Sequence, residues 1–204
     1  MSESLEPDRS KERRRQTLRL HLRGATAALH DRLDTAMRPP EDWRARGEYV
    51  RFLTTQYEAR VPIEKWLFEN APEELTPPEQ SPLLAHDIAA LGAQLPARRV
   101  EFALKDKGDA SMLGAAWVLA GSSLGNRAML HDMRRVLPDQ NQWPAAFLSS
   151  TAMTEFWQGL RPALEAPASV HDEELAEQAA RQIFDHFLAV ADAMRPQDRV
   201  EQTQ

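Results

Sequence analysis

The chain contains no cysteine. That excludes a disulfide framework, a zinc–cysteine site and any thiolate ligand to a prosthetic group, and it fits the reducing cytoplasm expected as its location. Long apolar runs are missing too. No segment approaches the roughly 20 apolar residues that a bilayer-spanning helix needs. The first ten residues lack the apolar region of a signal peptide, and the end from Arg195 to Gln204 is polar, so no membrane anchor is expected. Basic residues are not in excess: 25 Lys and Arg face 31 Asp and Glu, and a net charge of −6 gives no general affinity for nucleic acid. Glycine is scarce, with eight in 204 residues, so the place of each one carries information. The length and an apolar content of 42% suit one domain with a sizeable core.

What is present is helical periodicity. Leu18, Leu22, Ala25, Leu29, Leu33 and Ala36 recur at intervals of three and four, which predicts one buried stripe on a helix from Lys11 to Met37, ended by Pro39 and Pro40. A second helix is predicted from Gly47 to Asn70, with Pro62 bending it or starting a new segment. The stretch 71–81 reads as a loop, followed by a short helix from Pro82 to Leu91. A proline-free helix then runs from Ala110 to Val136. After a turn at 141–144, the last two helices are predicted at 150–164 and 169–194. No segment alternates as a strand does. The expectation is an all-α fold: a disordered leader at 1–10, one multi-helical domain at 11–195 and a polar tail at 196–204.

Two features stand out against that background. Gly121-Ser122-Ser123-Leu124-Gly125 puts two glycines in a helix interior, where each costs about 1 kcal/mol relative to alanine. Four residues apart, they share nearly one face, which implies that something lies close to that backbone. His30 lies at the edge of the first helix's stripe. Asp34, one turn on, is placed to accept a hydrogen bond from its ring, and Arg23, seven residues earlier, lies about 10 Å away by helical rise. A lone histidine at such a position also reads as an ordinary surface or core residue. His21, His86, His131, His171 and His186 show no paired metal spacing.

The segment Arg23-Gly24-Ala25-Thr26-Ala27-Ala28-Leu29-His30-Asp31-Arg32-Leu33-Asp34, with Leu18-Arg19 before it, resembles the opening helix of the heme oxygenase family, nearest its bacterial biliverdin-producing branch. Trp117-Val118-Leu119-Ala120-Gly121-Ser122-Ser123-Leu124-Gly125 resembles that family's distal-helix signature. Tyr49 to Leu53, Pro62 to Glu64, Glu155 to Leu160 and Ala180 to Phe187 are also similar, so the resemblance runs from about residue 17 to 190.

The resemblance implies an all-α bundle holding heme between the first helix and a kinked distal helix. His30 would be the iron ligand, with Arg23 and Arg161 meeting the propionates. Gly121 and Gly125 would bring backbone near the iron-bound oxygen, and Ser122 or Ser123 would hold ordered waters. Heme would be both substrate and prosthetic group, opened with O2 and an external reductant to biliverdin, iron and CO. The electron donor would be a ferredoxin or a flavoprotein reductase, and biliverdin would serve iron release or a phytochrome-like photoreceptor.

Trp117, Ala120 and Asn126 depart from the usual family residues. Asn126, placed where a glycine is common, either joins the distal hydrogen-bond network or crowds the pocket. Ala120 and Asn126 keep open a non-catalytic heme carrier or sensor, and a heme-free interaction protein on the same fold is a further alternative. The basic stretch from Lys11 to Arg23 reads as a solvated helix end, and Arg13 to Arg15 as part of a docking surface for an acidic electron donor. Trp66, Phe68, Trp143, Phe147, Phe156 and Trp157 are expected in the core. Glu64 reads either as a buried partner of a basic side chain or as a surface carboxylate.

Overall fold

The protein is described by a computed structural model at residues 17–38, 45–96, 100–136 and 143–195. The expected leader, the basic cluster Arg13 to Arg15 and the tail from 196 lie outside those residues, as does part of the turn at 141–144. Among the described residues there are seven α-helices, one 3-10 turn and no strand.

Helix α1 spans Leu18–Met37. It begins later than the expected Lys11, because Thr17 is extended and its hydroxyl accepts from the Leu20 N–H, capping the first turn. Arg38 is extended at the other end, as a residue before proline must be. Helix α2 spans Arg46–Asn70 with Pro62 inside it, so of the two expectations a new segment starting there is excluded. Pro62 is buried among Ala59, Ile63 and Trp66, and packing on that scale outweighs the lost backbone hydrogen bond. A 3-10 turn at Glu73–Leu75 interrupts the loop, and helix α3 spans Ser81–Ala90. Gly92, at φ +65°, turns the chain out of α3.

Helix α4 spans Asp109–Val136 as one continuous α-helix. Helix α5 is a single turn, Ala146–Ser149; α6 spans Ala152–Glu165; α7 spans Val170–Ala193. The Ser169 hydroxyl caps α7 by accepting from the Asp172 N–H at 3.1 Å.

Helix α7 is the central post. Both α4 and α1 pack along it, and α1 and α4 do not form a packed pair with each other. On the α4 side a Cβ at Gly114 would stand 2.1 Å from the Ala176 carbonyl oxygen, so the two backbones touch and only glycine fits. On the α1 side His21 meets Glu177 and the Ala25 carbonyl accepts from Arg181, so α1 and α7 run in the same direction.

Two apolar clusters result. One joins α1, α4, α6 and α7 through Leu22, Leu119, Leu160 and Ile183. The other joins α2, α3, α5 and the end of α4 through Phe52, Ile88, Phe147 and Met133. Phe68 is in neither; it is 70% exposed, against expectation, because its position on α2 turns outward. No helix among the described residues is long and apolar enough to cross a membrane.

Candidate functional site

Helix α7 serves as a ruler for the site. His21 and Glu177, then Ala25 and Arg181, then His30 and Phe184 pair off along α1 and α7 in ascending order. Ser111 and Leu175, then Gly114 and Ala176, do the same for the start of α4. Ser122 is joined to Phe187 through one guanidinium: Arg60 Nη2 donates to Ser122 Oγ at 2.6 Å, and Arg60 Cζ lies 5.9 Å from the Phe187 ring centroid. Phe184 and Phe187 are one turn apart. His30 and the Gly121-Ser122 segment therefore sit at about the same height, on two helices that share α7 but do not close on each other.

The His30 side chain is 60% exposed, and its ring meets Phe184 edge-on at 6.2 Å between centroids. Its Nδ1 lies 3.2 Å from Asp34 Oδ2, so the opposite ring nitrogen is the one presented outward. The one-turn spacing thus brings the Asp34 carboxylate beside the ring as an i,i+4 ion-pair partner.

Counting 100° per residue from Gly121, the exposed arc of α4 contains Leu124, Gly125 and Ala128. A Cβ at Gly121 would meet nothing within 4 Å, and one at Gly125 would only touch Met129 Cε at 4.0 Å. No protein atom needs this glycine pair; the space over Gly121 is open.

Three other expected site residues point elsewhere. Asn126 is buried, about 140° around the helix from Gly121, so it neither faces nor crowds the open side. Ser123 is buried and its hydroxyl donates back to the Ala120 carbonyl at 2.6 Å. Ala120 is fully buried. Ser122 is half-buried at the border of the exposed arc.

No protein-family model matches the chain, and no curated protein matches it by sequence. A solved structure does match. The NO- and CO-bound heme oxygenase from Neisseria meningitidis superposes with a TM-score of 0.65, covering 87% of this chain and 92% of that one at 20% sequence identity. This chain has the heme oxygenase fold.

On that fold the residues present fit a heme. The imidazole on α1 is exposed with Asp34 beside its Nδ1, Gly121 on α4 has open space where a side chain would stand, and Phe184 lines the side of the imidazole toward α7. Arg23 and Arg161 are both exposed. Arg19 Nε pairs with Glu165 Oε1 at 2.6 Å and ties α6 to the beginning of α1. Arg161, one turn before Glu165, thus lies toward the same end of α1 as Arg23. No cluster of three or more His, Asp or Glu suited to a bare metal ion occurs among the described residues.

The residue that sequence reasoning missed is Arg60. It is 2% exposed, with its charge set between the rings of Phe147 and Phe187, at 5.3 and 5.9 Å, where the two apolar clusters meet. Nε donates to Gln56 Oε1 at 3.1 Å and Nη2 to Ser122, while Nη1 has no hydrogen-bond partner. Glu64 Oε1 lies 3.9 Å from Nη1. That carboxylate is already engaged, accepting from the Gln80 and Ser81 N–H groups at 3.1 Å each. Burial pulls the guanidinium pKa down and Glu64 pulls it back. The i,i+4 spacing of Arg60 and Glu64 was the available signal, and it reads the same on a solvent-facing helix.

Proposed function

We propose that this protein is a heme oxygenase that binds heme between α1 and α4 and opens it, with O2 and external electrons, to biliverdin, CO and iron. The reading rests on one observation above the others: His30 and the open face at Gly121 stand at about one height on α7, on helices that are not a packed pair. The bound heme supplies the iron that binds O2 and the ring that is oxidised.

The chain's own groups do the rest. His30 would hold the iron through one ring nitrogen, with the Asp34 carboxylate 3.2 Å from the other. The missing side chain at Gly121 lets a small ligand lie against helix backbone. Residues 121–125 carry no strong acid that would drive the chemistry toward O–O cleavage. Arg23 and Arg161 supply cations for carboxylates at the edge of the ring. Because Ala120 and Asn126 are buried away from the open arc, the departures that kept a heme carrier in view no longer bear on that face. An electron donor such as a ferredoxin or a flavoprotein reductase, a phytochrome-like acceptor and a cytoplasmic location belong to the same proposal.

A single-turnover experiment tests it. Protein loaded with heme, given O2 and reductant, should lose its Soret band and gain biliverdin absorption. An intact Soret band after reductant and O2 would leave a carrier instead. Equal weak heme binding by wild type and His30→Ala would remove heme altogether.

A further inference from the structure

We infer that the last two turns of α1, residues 30–37, open as one unit in the heme-free protein and form the entrance to the site. The opening stands on the fold alone; that heme is what enters rests on the reading above.

Three properties of α1 change at the same place. Polar links to other helices occur at Arg19, His21 and Ala25, and among the described residues none occurs from His30 onward. Full burial stops there too: Leu18, Leu22, Thr26 and Leu29 are buried, whereas Leu33, Ala36 and Met37 are only partly covered. The packing beside these last turns is itself incomplete. A groove of about 450 Å3 lies between Asp31, Thr35 and Ala36 of α1 and Leu188, Asp192 and Arg195 of α7. Its polar groups do not bridge it. Arg195 pairs with Asp192 on its own side at 3.4 Å, and the Thr35 hydroxyl donates to the Asp31 carbonyl within α1 at 2.8 Å.

A segment opens locally at the cost of its own contacts, so the thinly covered part of a helix opens far more often than the part set in the core. Here the thin part holds on through Leu33 and Ala36 against the first apolar cluster, Met37 against the second, and the edge of Phe184 against His30. Once lifted, eight residues do not stay helical by themselves, because helices shorter than about 12–15 residues are marginal in water. Lifting and unwinding are therefore one event, which amide exchange reads. His30 belongs to the part that opens. A ligand held by its ring binds the closed form, so binding suppresses the opening that let the ligand in, and the apparent affinity is lowered by the fraction of molecules that stand open.

The test is residue-resolved amide exchange on the full-length, heme-free protein. The amides of residues 30–33, which bond back to carbonyls four residues earlier, should exchange together with those of residues 34–37. Both groups should exchange at least about tenfold faster than residues 22–26 after correction for intrinsic rates. Hemin should slow exchange at 30–37 by at least about tenfold. Leu33→Ala thins the apolar hold without touching the start of the helix. It should speed exchange at 30–37 by about threefold or more, leave residues 22–26 within about twofold, and speed stopped-flow heme uptake. Fast exchange confined to residues 34–37 is ordinary fraying and would overturn the inference, as would equal exchange along the whole helix. Unchanged heme uptake in a Leu33→Ala protein that opens more would overturn the entrance. If Leu33→Ala does not fold, the wild-type exchange pattern decides. The heme reading fails separately, by a hemin spectrum that does not depend on His30.

Discussion

Gly114 and the carbonyl of Ala176 are in backbone contact: a Cβ at residue 114 would lie 2.1 Å from that oxygen. Gly121, two turns further along the same helix, faces nothing within 4 Å. The two glycines therefore respond oppositely to alanine. Gly114→Ala forces α4 and α7 apart and should cost about 3 kcal/mol or more, at the upper end of overpacking penalties. Gly121→Ala should raise the stability of the heme-free protein by up to about 1 kcal/mol, the helix-propensity difference, while weakening ligand binding opposite His30. Urea unfolding of both variants, with and without heme, checks the pair.

His30→Ala should leave the unfolding midpoint nearly unchanged, within about 0.5 kcal/mol, because an exposed side chain is removed. Heme affinity should drop by at least about tenfold, since the ligand nitrogen is gone. Asp34→Asn should act more mildly. Its carboxylate is 63% exposed, so the loss in heme affinity should be smaller than the roughly 10–100-fold typical of buried second partners. The reduction potential of the bound heme should rise, because the imidazole loses an anionic acceptor. Soret titration and potentiometry read the two effects.

His186 gives the stability a pH dependence. Its Nε2 lies 3.1 Å from the Ala59 carbonyl, and burial pushes its pKa below the ordinary 6.5. The unfolded chain then binds a proton that the folded chain refuses. Stability is full above about pH 6.5 and falls as the pH drops toward the folded-state pKa, by at most about 1.4 kcal/mol per pH unit. Denaturant midpoints at pH 7.5 and 5.5 should differ less in His186→Gln than in wild type.

Asp87 is fully buried, and its two oxygens accept from the Ala146 and Phe147 N–H groups at 3.0 and 2.9 Å. Asp87→Ala strands both donors and should cost about 2–4 kcal/mol. Phe147 covers Arg60, so the same change should lower heme-complex stability along with that of the fold. Thermal unfolding with and without heme measures it.

The six longer helices were legible in the sequence because they carry an apolar stripe and a proline or cap near an end, while the single turn Ala146–Ser149 is too short to show a period. Their starts were less so. Lys11 to Gln16 continue a helical composition, and only the extended backbone at Thr17 shows where α1 begins. That α2 continues past Pro62 could not be read, because the cost of proline is local while the packing that offsets it comes from distant helices. That His30 and Asp34 lie together, and Gly121 and Gly125, could be read from spacing alone, since neighbours one turn apart must share a face. Asn126 could not be, because helical phase relative to the core depends on which residues α7 and α2 actually cover. Arg60 and Gly114 were invisible for the same reason: one is buried by rings from two other helices, the other is pressed by a backbone 62 residues away.

The polar ties of α1 to its neighbours among the described residues fall at Arg19, His21 and Ala25. From His30 onward the helix rests on its neighbours through nonpolar contacts such as Phe184, Leu33 and Ala36. Such contacts slide at little cost, whereas hydrogen bonds and ion pairs do not. Among the described residues, the helix that bears His30 is thus tied by polar groups at its beginning and by apolar contact alone toward its far end, so parting that end from α7 would cost buried apolar area and no ion pair.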